Sequence, residues 1–485
     1  MVRLVQKEET LDPADWNAMR ALGHRMIDEI MTYLQEAREH PVFQQIPEEI
    51  STKLNEPLPV EPQGAEKACE DFLNNVLRVY QTMNIHPRFW GWVIGTGTPM
   101  GMLADMLASG MNHNVEAAYT VPYQIEMKVL DWLKDMLAYP KDACGLLVSG
   151  ASMANLIGLT VARNTMAKFD MRQEGLQKIQ RKMTLYGSEE MHSCIQKSVE
   201  MLGLGNEALR RIPVNADYEI DIEKLENEIR KDKDSGYQPF CVVGNAGTVN
   251  TGAFDDLDAV AEICARENLW FHVDGAFGAW VALSPDLSHL ASGMKKADSL
   301  AFDLHKWMYM PYGVGCVLVK RREDQLRTFS LVPEYLRHDE KAPVWFSDYG
   351  IELSRGFRAL KVWMSIKEHG VKKYGRLIQQ NVDQAHYLAR LVDRTPMLER
   401  TAPVCSNIVC FRYVPSRLDE HSLKELNEKI MYQLAFSGAA VVSSTVIRGK
   451  YTLRVAIVNH RTTREDLDFL IREVTRLGSA WGKAR

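Results

Sequence analysis

Between about residues 87 and 380, short apolar runs alternate with helical patterns, and this alternation restricts the chain to few folds. GLLVS is followed by SMANLIGLTVARNTMA, MTLYGS by SCIQKSVEMLG, and PFCVVGNAG by DDLDAVAEICAREN; LWFHVDG, SLAFDLHKW and GCVLVK come after. Such alternation builds a mainly parallel sheet with helices on both faces. Ligands of these sheets sit beyond the carboxyl ends of the strands. The residues that follow each apolar run are therefore the ones to read for chemistry.

The flanks read differently. Residues 11–38 carry a helical stripe through Ile27, Ile30, Met31 and Leu34, with Asp12 or Asp15 as cap. The Pro-spaced stretch HPVFQQIPEEISTKLNEPLPVEPQG reads as an extended connector, and a second helix is expected over about 65–83. Two amphipathic helices and an arm make a poor core alone, so residues 1–86 are expected to wrap a partner subunit. Residues 87–380 form the large unit. Residues 381–485 form a smaller α+β unit ending in KYTLRVAIVN and the helix TREDLDFLIREVTRLG.

The strand ends collect polar groups. GLLV ends at Ser149-Gly150-Ala151-Ser152, where free backbone N–H groups at a helix start can hold an anion; Ser152 can equally be a simple cap. His192 stands just past a strand, and CVVGNAG ends at Thr248. Asp274 follows Trp270, Phe271 and Val273, so it is expected to be deep and to need a cation or several donors. FDLHKW delivers Asp303, His305 and Lys306 within an apolar stretch. A lysine there either extends its head to solvent or loses its free ammonium. An anion cradle, a buried carboxylate, a flat imidazole and a buried lysine suit one ligand, pyridoxal 5'-phosphate: a phosphate, a pyridine nitrogen that must stay protonated, a flat ring and an aldehyde that condenses with a lysine.

The motifs HPRFWGW, MLADMLASGMN, LVSGASMANL, EEMHSCIQKS, GNAGTVNTGAFDDL, WFHVDGAFGAW, ADSLAFDLHKW, VPEYLRH and RGFRALKVW resemble the group II pyridoxal-phosphate decarboxylases. That family includes the aromatic amino acid, histidine, tyrosine and glutamate decarboxylases. The resemblance implies a fold-type I, aspartate aminotransferase-like α/β architecture: a mainly parallel seven-stranded large domain, an N-terminal helical arm and a small α+β domain. It also implies a homodimer with active sites at the subunit interface. By position, Lys306 would form the Schiff base, Asp274 would face the pyridinium nitrogen and His192 would stack on the ring. Ala151 and Ser152 would hold the phosphate with His305 beside it, and Thr248 and Ala276 would lie near the cofactor. Asp303 beside a phosphate would repel it, so it is expected to be paired elsewhere or to act through neighbours. Tyr335, with Pro333, Leu336 and His338, matches the family's loop tyrosine that returns a proton to Cα; an exposed packing tyrosine is the plainer reading. Aldehyde synthases on this scaffold differ at that tyrosine or at the stacking histidine, so Tyr335 with His192 favours simple decarboxylation.

The substrate is less legible. Trp92 and Val93 occupy a stretch where aromatic decarboxylases carry pocket residues, while Asn114, Glu116 and Ser354 are more polar than that pattern. An aromatic or heteroaromatic L-amino acid is expected. Glutamate or aspartate is the alternative, with Arg355 or Arg454 as the extra cation unless both serve structural ion pairs. The formal charge of -5, without a long basic run, gives no reason to expect nucleic acid or an anionic membrane. No signal-peptide core or run of about 18 apolar residues is present, and the eight scattered cysteines form no C-x-x-C. A cytoplasmic protein with reduced thiols and no metal site is expected.

Overall fold

The computed structural model describes residues 8–482 apart from Ala117, 332–344 and Arg417. Its described strands form two sheets. Strand β1 (Phe89–Trp90) comes first in the chain, and the large sheet follows: β2 (Cys144–Val148), β3 (Met183–Ser188), β4 (Leu209–Ile212), β5 (Gln238–Asn245), β6 (Trp270–Asp274), β7 (Ser299–Asp303) and β8 (Gly315–Val319). Their spatial order is β2-β8-β7-β6-β5-β3-β4. The ladders from β4 to β7 are parallel, and β8 alone runs against both neighbours. This is the mainly parallel seven-stranded sheet of the expected fold. Helices cover both faces, so strands such as GCVLV are buried along their whole length.

The smaller sheet holds β9 (Leu398–Arg400), β10 (Ile408–Tyr413), β11 (Val441–Ile447) and β12 (Lys450–Ala456). It also takes β1, whose Phe89 and Trp90 pair in parallel with Val441 and Val442. A segment expected in the large unit is thus stitched onto the small one. The helix Val371–Arg394 crosses the other expected boundary: Tyr374, Ile378 and Val382 pack into the large core, Ala385, Leu388 and Val392 into the small one. A continuous amphipathic helix serves both cores, so no break falls at residue 380.

At the N-terminus, Asp15 caps the helix Trp16–Gln35, accepting from the N–H groups of Asn17 and Ala18. The helix expected over 65–83 ends at Asn75 and gives way to short 3-10 turns, with left-handed backbone at Tyr80 and Met83. The connector is not wholly extended, because Glu48–Leu54 is helical. Pro47 sets its start, Glu48 and Glu49 fill the first turn and Lys53 the last, which suits the helix dipole. Prolines punctuate this segment at a spacing that leaves room for two turns. No described helix is long and apolar enough to cross a membrane.

Candidate active site

A cavity of about 330 Å3 opens at the carboxyl ends of the central strands. Ser149, Gly150, Ala151 and Ser152 form one wall, His192 and Cys194 a second, and Ala276, Asp303, His305 and Lys306 a third. The carboxyl ends of four strands contribute, as expected of a mainly parallel sheet. A larger cleft, about 700 Å3, lies by Phe169, Asp170, Arg172, Asp324 and Arg327. Its charges engage one another or the backbone: Arg327 pairs with Asp324, and Arg172 donates to the carbonyls of Arg327 and Ser330. It offers no lysine, so the smaller cavity is the chemical one.

The helix Ala151–Met166 starts directly after β2 and Ser149-Gly150, and its cap residue Gly150 has no side chain to offer. Its first N–H, on Ala151, donates to Asp303 Oδ1 at 2.6 Å, while the N–H groups of Met153 and Ala154 turn to the Gly150 carbonyl. The N–H and hydroxyl of Ser152 have no partner among the described residues and line the cavity. An anion would find those donors at the positive end of the helix dipole.

Lys306 Nζ lies 3.1 Å from Asp303 Oδ2. The buried carboxylate thus answers the question of the lysine in an apolar stretch: the ammonium has a fixed partner. The turn bearing Lys306 is pinned from behind. Trp307 is fully buried, and its indole N–H donates to Asn381 Oδ1 at 3.0 Å, which also accepts from the Tyr309 hydroxyl at 2.8 Å. Gly95 closes the other side, because a Cβ there would sit 1.9 Å from the His305 carbonyl oxygen. Only glycine permits that backbone approach.

His305 Nδ1 lies 3.0 Å from the Val314 carbonyl, an acceptor, so Nδ1 carries the proton. Burial lowers its pKa, with Asp303 opposing and Lys306 adding. His192 caps the helix Ser193–Met201, its Nδ1 accepting the Cys194 N–H at 3.2 Å. In the neutral ring Nε2 therefore holds the hydrogen. The ring is exposed across the cavity but crowded from behind; this crowding lowers its pKa, Asp274 opposes and Lys306 adds. Asp274 is buried at the end of β6, where Oδ1 accepts the Ala276 N–H at 3.1 Å and Cys194 Sγ is 4.0 Å from Oδ2. Both of those neighbours line the cavity, so the carboxylate lies just behind its wall.

Other expected residues lie elsewhere. The buried Thr248 hydroxyl is 3.1 Å from Thr251 Oγ1 and accepts the Ala253 N–H at 3.1 Å, holding a turn after β5 rather than lining the cavity. Trp92 is 60% exposed with left-handed backbone, and Val93 packs half-buried against the large core. Asn114 accepts the N–H of Arg355, next to Ser354, at 3.0 Å; Asn114 and Ser354 are both exposed. Arg355 is buried in an ion pair with fully buried Glu126 and so is no cation for a substrate. Arg454 donates to the Asn250 carbonyl and the Ser443 hydroxyl, and burial pulls its pKa down to about 10. Tyr335 lies outside the described residues. Among those residues no cluster of three or more His, Cys, Asp or Glu is placed to hold a metal.

Cys194 and Asn381 are the site residues that sequence reading passed over. Cys194 stands two residues after His192, and that offset was its one signal; the Asn381 contact depends on tertiary packing.

The residues present suit pyridoxal phosphate: unengaged donors at a helix start, a lysine at the wall, an imidazole across from it and a carboxylate behind. Residues 47–414 match the pyridoxal-dependent decarboxylase conserved domain. The chain is 36% identical to an aromatic-L-amino-acid decarboxylase of Bacillus atrophaeus, over 93% of each chain. It is 29% identical to a phenylacetaldehyde synthase of Petunia hybrida, over 92% of this chain and 89% of that one. Among solved structures it is similar to tryptophan decarboxylase of Catharanthus roseus in complex with L-tryptophan, with a TM-score of 0.88, 25% identity and coverage of 97% and 99%. The chain belongs to the pyridoxal-dependent decarboxylase family and is a pyridoxal-phosphate-dependent amino acid decarboxylase.

Proposed function

We propose that the chain converts an aromatic or heteroaromatic L-amino acid to its amine and carbon dioxide, with Lys306 as the lysine that binds the cofactor. The observation that carries this is the convergence of Lys306, Asp303, His192 and Ser152 on one cavity with Asp274 behind it. When bound, pyridoxal phosphate supplies the sink for the electron pair left at Cα as carbon dioxide departs. Ser152 offers its N–H and hydroxyl to the phosphate, with Ala151 and His305 beside it. Asp274 would hold the ring nitrogen in its protonated form, His192 would lie against the ring, and Ala276 would form wall near it. Thr248 acts on the cofactor's surroundings through its turn. Tyr335 is the proton donor to Cα.

The aromatic substrate is supported by the named activity of the Bacillus relative and by the engagement of Arg355 with Glu126, which removes one cation an acidic substrate would want. Trp92, Val93, Asn114 and Ser354 are proposed to contact the substrate. They lie at or near the surface of one chain, and Tyr119 and Val121 nearby in sequence are 85% and 71% exposed. A second copy covering that face would enclose the substrate end, so a homodimer completes the site; a cytoplasmic location fits its eight free thiols.

A panel of L-amino acids assayed for carbon dioxide and amine tests the reading. Aromatic substrates should give both in equal amounts, and borohydride should fix the cofactor on a peptide containing Lys306. A label on another lysine, or turnover of acidic substrates alone, sinks it. The phenylacetaldehyde synthase relatives motivate one second reading, release of aldehyde in place of amine. Amine, aldehyde and peroxide measured together separate the two. Tyr335→Phe removes the proposed proton and should move product from amine toward aldehyde in air.

A further inference from the structure

Asp303 makes two contacts at once. Its Oδ2 lies 3.1 Å from Lys306 Nζ, and its Oδ1 accepts the Ala151 N–H at 2.6 Å. The carboxylate is 2% exposed and sits in a slot that glycines leave open. A Cβ on Gly315 would stand 2.7 Å from Oδ1, and one on Gly150 would stand 3.4 Å from it. The β7–β8 ladder builds this slot, because Asp303 and Gly315 are register partners. We propose that Asp303 is a positioning residue acting through Lys306: it is the counter-ion that holds Nζ at the cavity wall and governs how fast the lysine condenses with the cofactor aldehyde. The proposal rests on Lys306 being the lysine that takes the cofactor.

The chemistry shows why a fixed anion matters. The ammonium gives up one proton to solvent, and the nitrogen lone pair of the amine attacks the aldehyde carbon. That proton is then taken back as the carbonyl oxygen leaves as water with two hydrogens, so a C=N bond remains and its nitrogen keeps one hydrogen and the positive charge. Asp303 faces a cation before and after, and a neutral amine only in between. A carboxylate this close attracts the cationic forms more than the neutral amine between them, which slows condensation. The other ionisable groups around Nζ are His305 on the same turn, with Tyr312 against its ring, His192 and Cys194 from the junction after β3, Asp274 from β6 and the more distant Lys361. Lys361 is itself paired with Asp105. Among the described residues Asp303 is the carboxylate within ion-pair distance of Nζ.

The test mixes apo-protein with pyridoxal phosphate, and separately with pyridoxal, which lacks the phosphate. Formation of the imine band is followed by stopped flow at one fixed pH near neutrality. In Asp303→Asn the side chain still fills the slot and accepts the Ala151 N–H, so the thermal midpoint of the apo-protein should hold. Condensation at that fixed pH should be about tenfold faster with both aldehydes. An unchanged rate overturns the proposal. A faster reaction with pyridoxal phosphate alone also overturns it, because Asp303 would then act on the phosphate cradle and not on Lys306. Should Asp303→Asn fail to fold, Asp303→Ser keeps an acceptor for Ala151 and is read the same way. Lys306→Ala that still condensed at the wild-type rate would instead overturn the assignment of Lys306, whatever Asp303 does.

Discussion

The two ends of the site are built by different means. At the proposed cofactor end, Ser152, His192, Asp274, Asp303 and Lys306 stand at or just after the carboxyl ends of strands of one buried sheet, and hydrogen bonds hold most of them. At the proposed substrate end, Trp92, Asn114 and Ser354 are exposed side chains on irregular backbone. A sheet fixes its strand ends by register, so chemistry placed there is determined within one chain. Residues on loops take their final surroundings from whatever covers them, which in the proposed homodimer would be a second copy or the substrate itself.

The comparison breaks most visibly if the cofactor end tolerates change. Lys306→Ala should bring carbon dioxide release to background and leave any cofactor removable by gel filtration. Asp274→Asn should keep cofactor but lower kcat about 100- to 1,000-fold, the usual cost of removing one charged hydrogen bond from a closed site. An Asn variant within a few-fold of wild type would show that the ring nitrogen does not depend on this carboxylate.

A buried histidine two residues before Asp274 gives the next effect. His272 is 0% exposed in β6, with Nδ1 2.7 Å from Ser299 Oγ and Nε2 2.7 Å from Asn155 Oδ1. Ser299 Oγ already accepts the Trp270 indole N–H at 2.8 Å, so its own hydrogen is available to Nδ1, and Nε2–H donates to Asn155. The neutral ring is fully satisfied, and burial pushes its pKa down to about 4. The unfolded chain takes up a proton below about pH 6.5 that the folded chain refuses until about pH 4, so stability falls with pH across that window and levels off below it. The share of His272 is about 2 kcal/mol between pH 7 and pH 5. His86 and His460 are also held near 4 and act in the same direction. His272→Gln, followed by urea unfolding at fixed protein and cofactor concentration, should flatten that acid limb by about this amount. An unchanged slope would mean the ring is not held neutral.

The alternation of runs and the polar residues after them made the large sheet and much of the cavity lining legible, because period and strand polarity are properties of the sequence. Thr248 matched by position, but its hydroxyl is engaged by Thr251 and Ala253, a turn geometry that spacing does not reveal. The attachment of Phe89–Trp90 to the small sheet was hidden because its partner strand lies some 350 residues later. Asp303 was recognised as an anion needing a partner, yet the sequence could not say that the partner is Lys306, three residues on, because that depends on the turn held by Trp307 and Asn381.

The smallest expected effect tests the substrate end. Trp92 presents an indole to solvent at 60% exposure, with its ring centroid 6.0 Å from that of Phe89. Its segment is anchored three residues later, where Gly95 meets the turn of Lys306, so the ring stands on a rigid footing near the cofactor end. An indole held there would stack on an aromatic substrate and add about 1 kcal/mol beyond simple area burial. Trp92→Ala should therefore raise KM for aromatic substrates about tenfold and leave kcat within about twofold, the pattern for contacts made equally in ground and transition states. Trp92→Phe should recover much of the loss. The cofactor absorbance should be unchanged in both variants, because among the described residues the ring contact of this side chain is with Phe89. If Trp92→Ala instead changed the absorbance or abolished turnover at saturating substrate, the two ends would not be separable, and the loop would have to be counted as part of the cofactor's own wall.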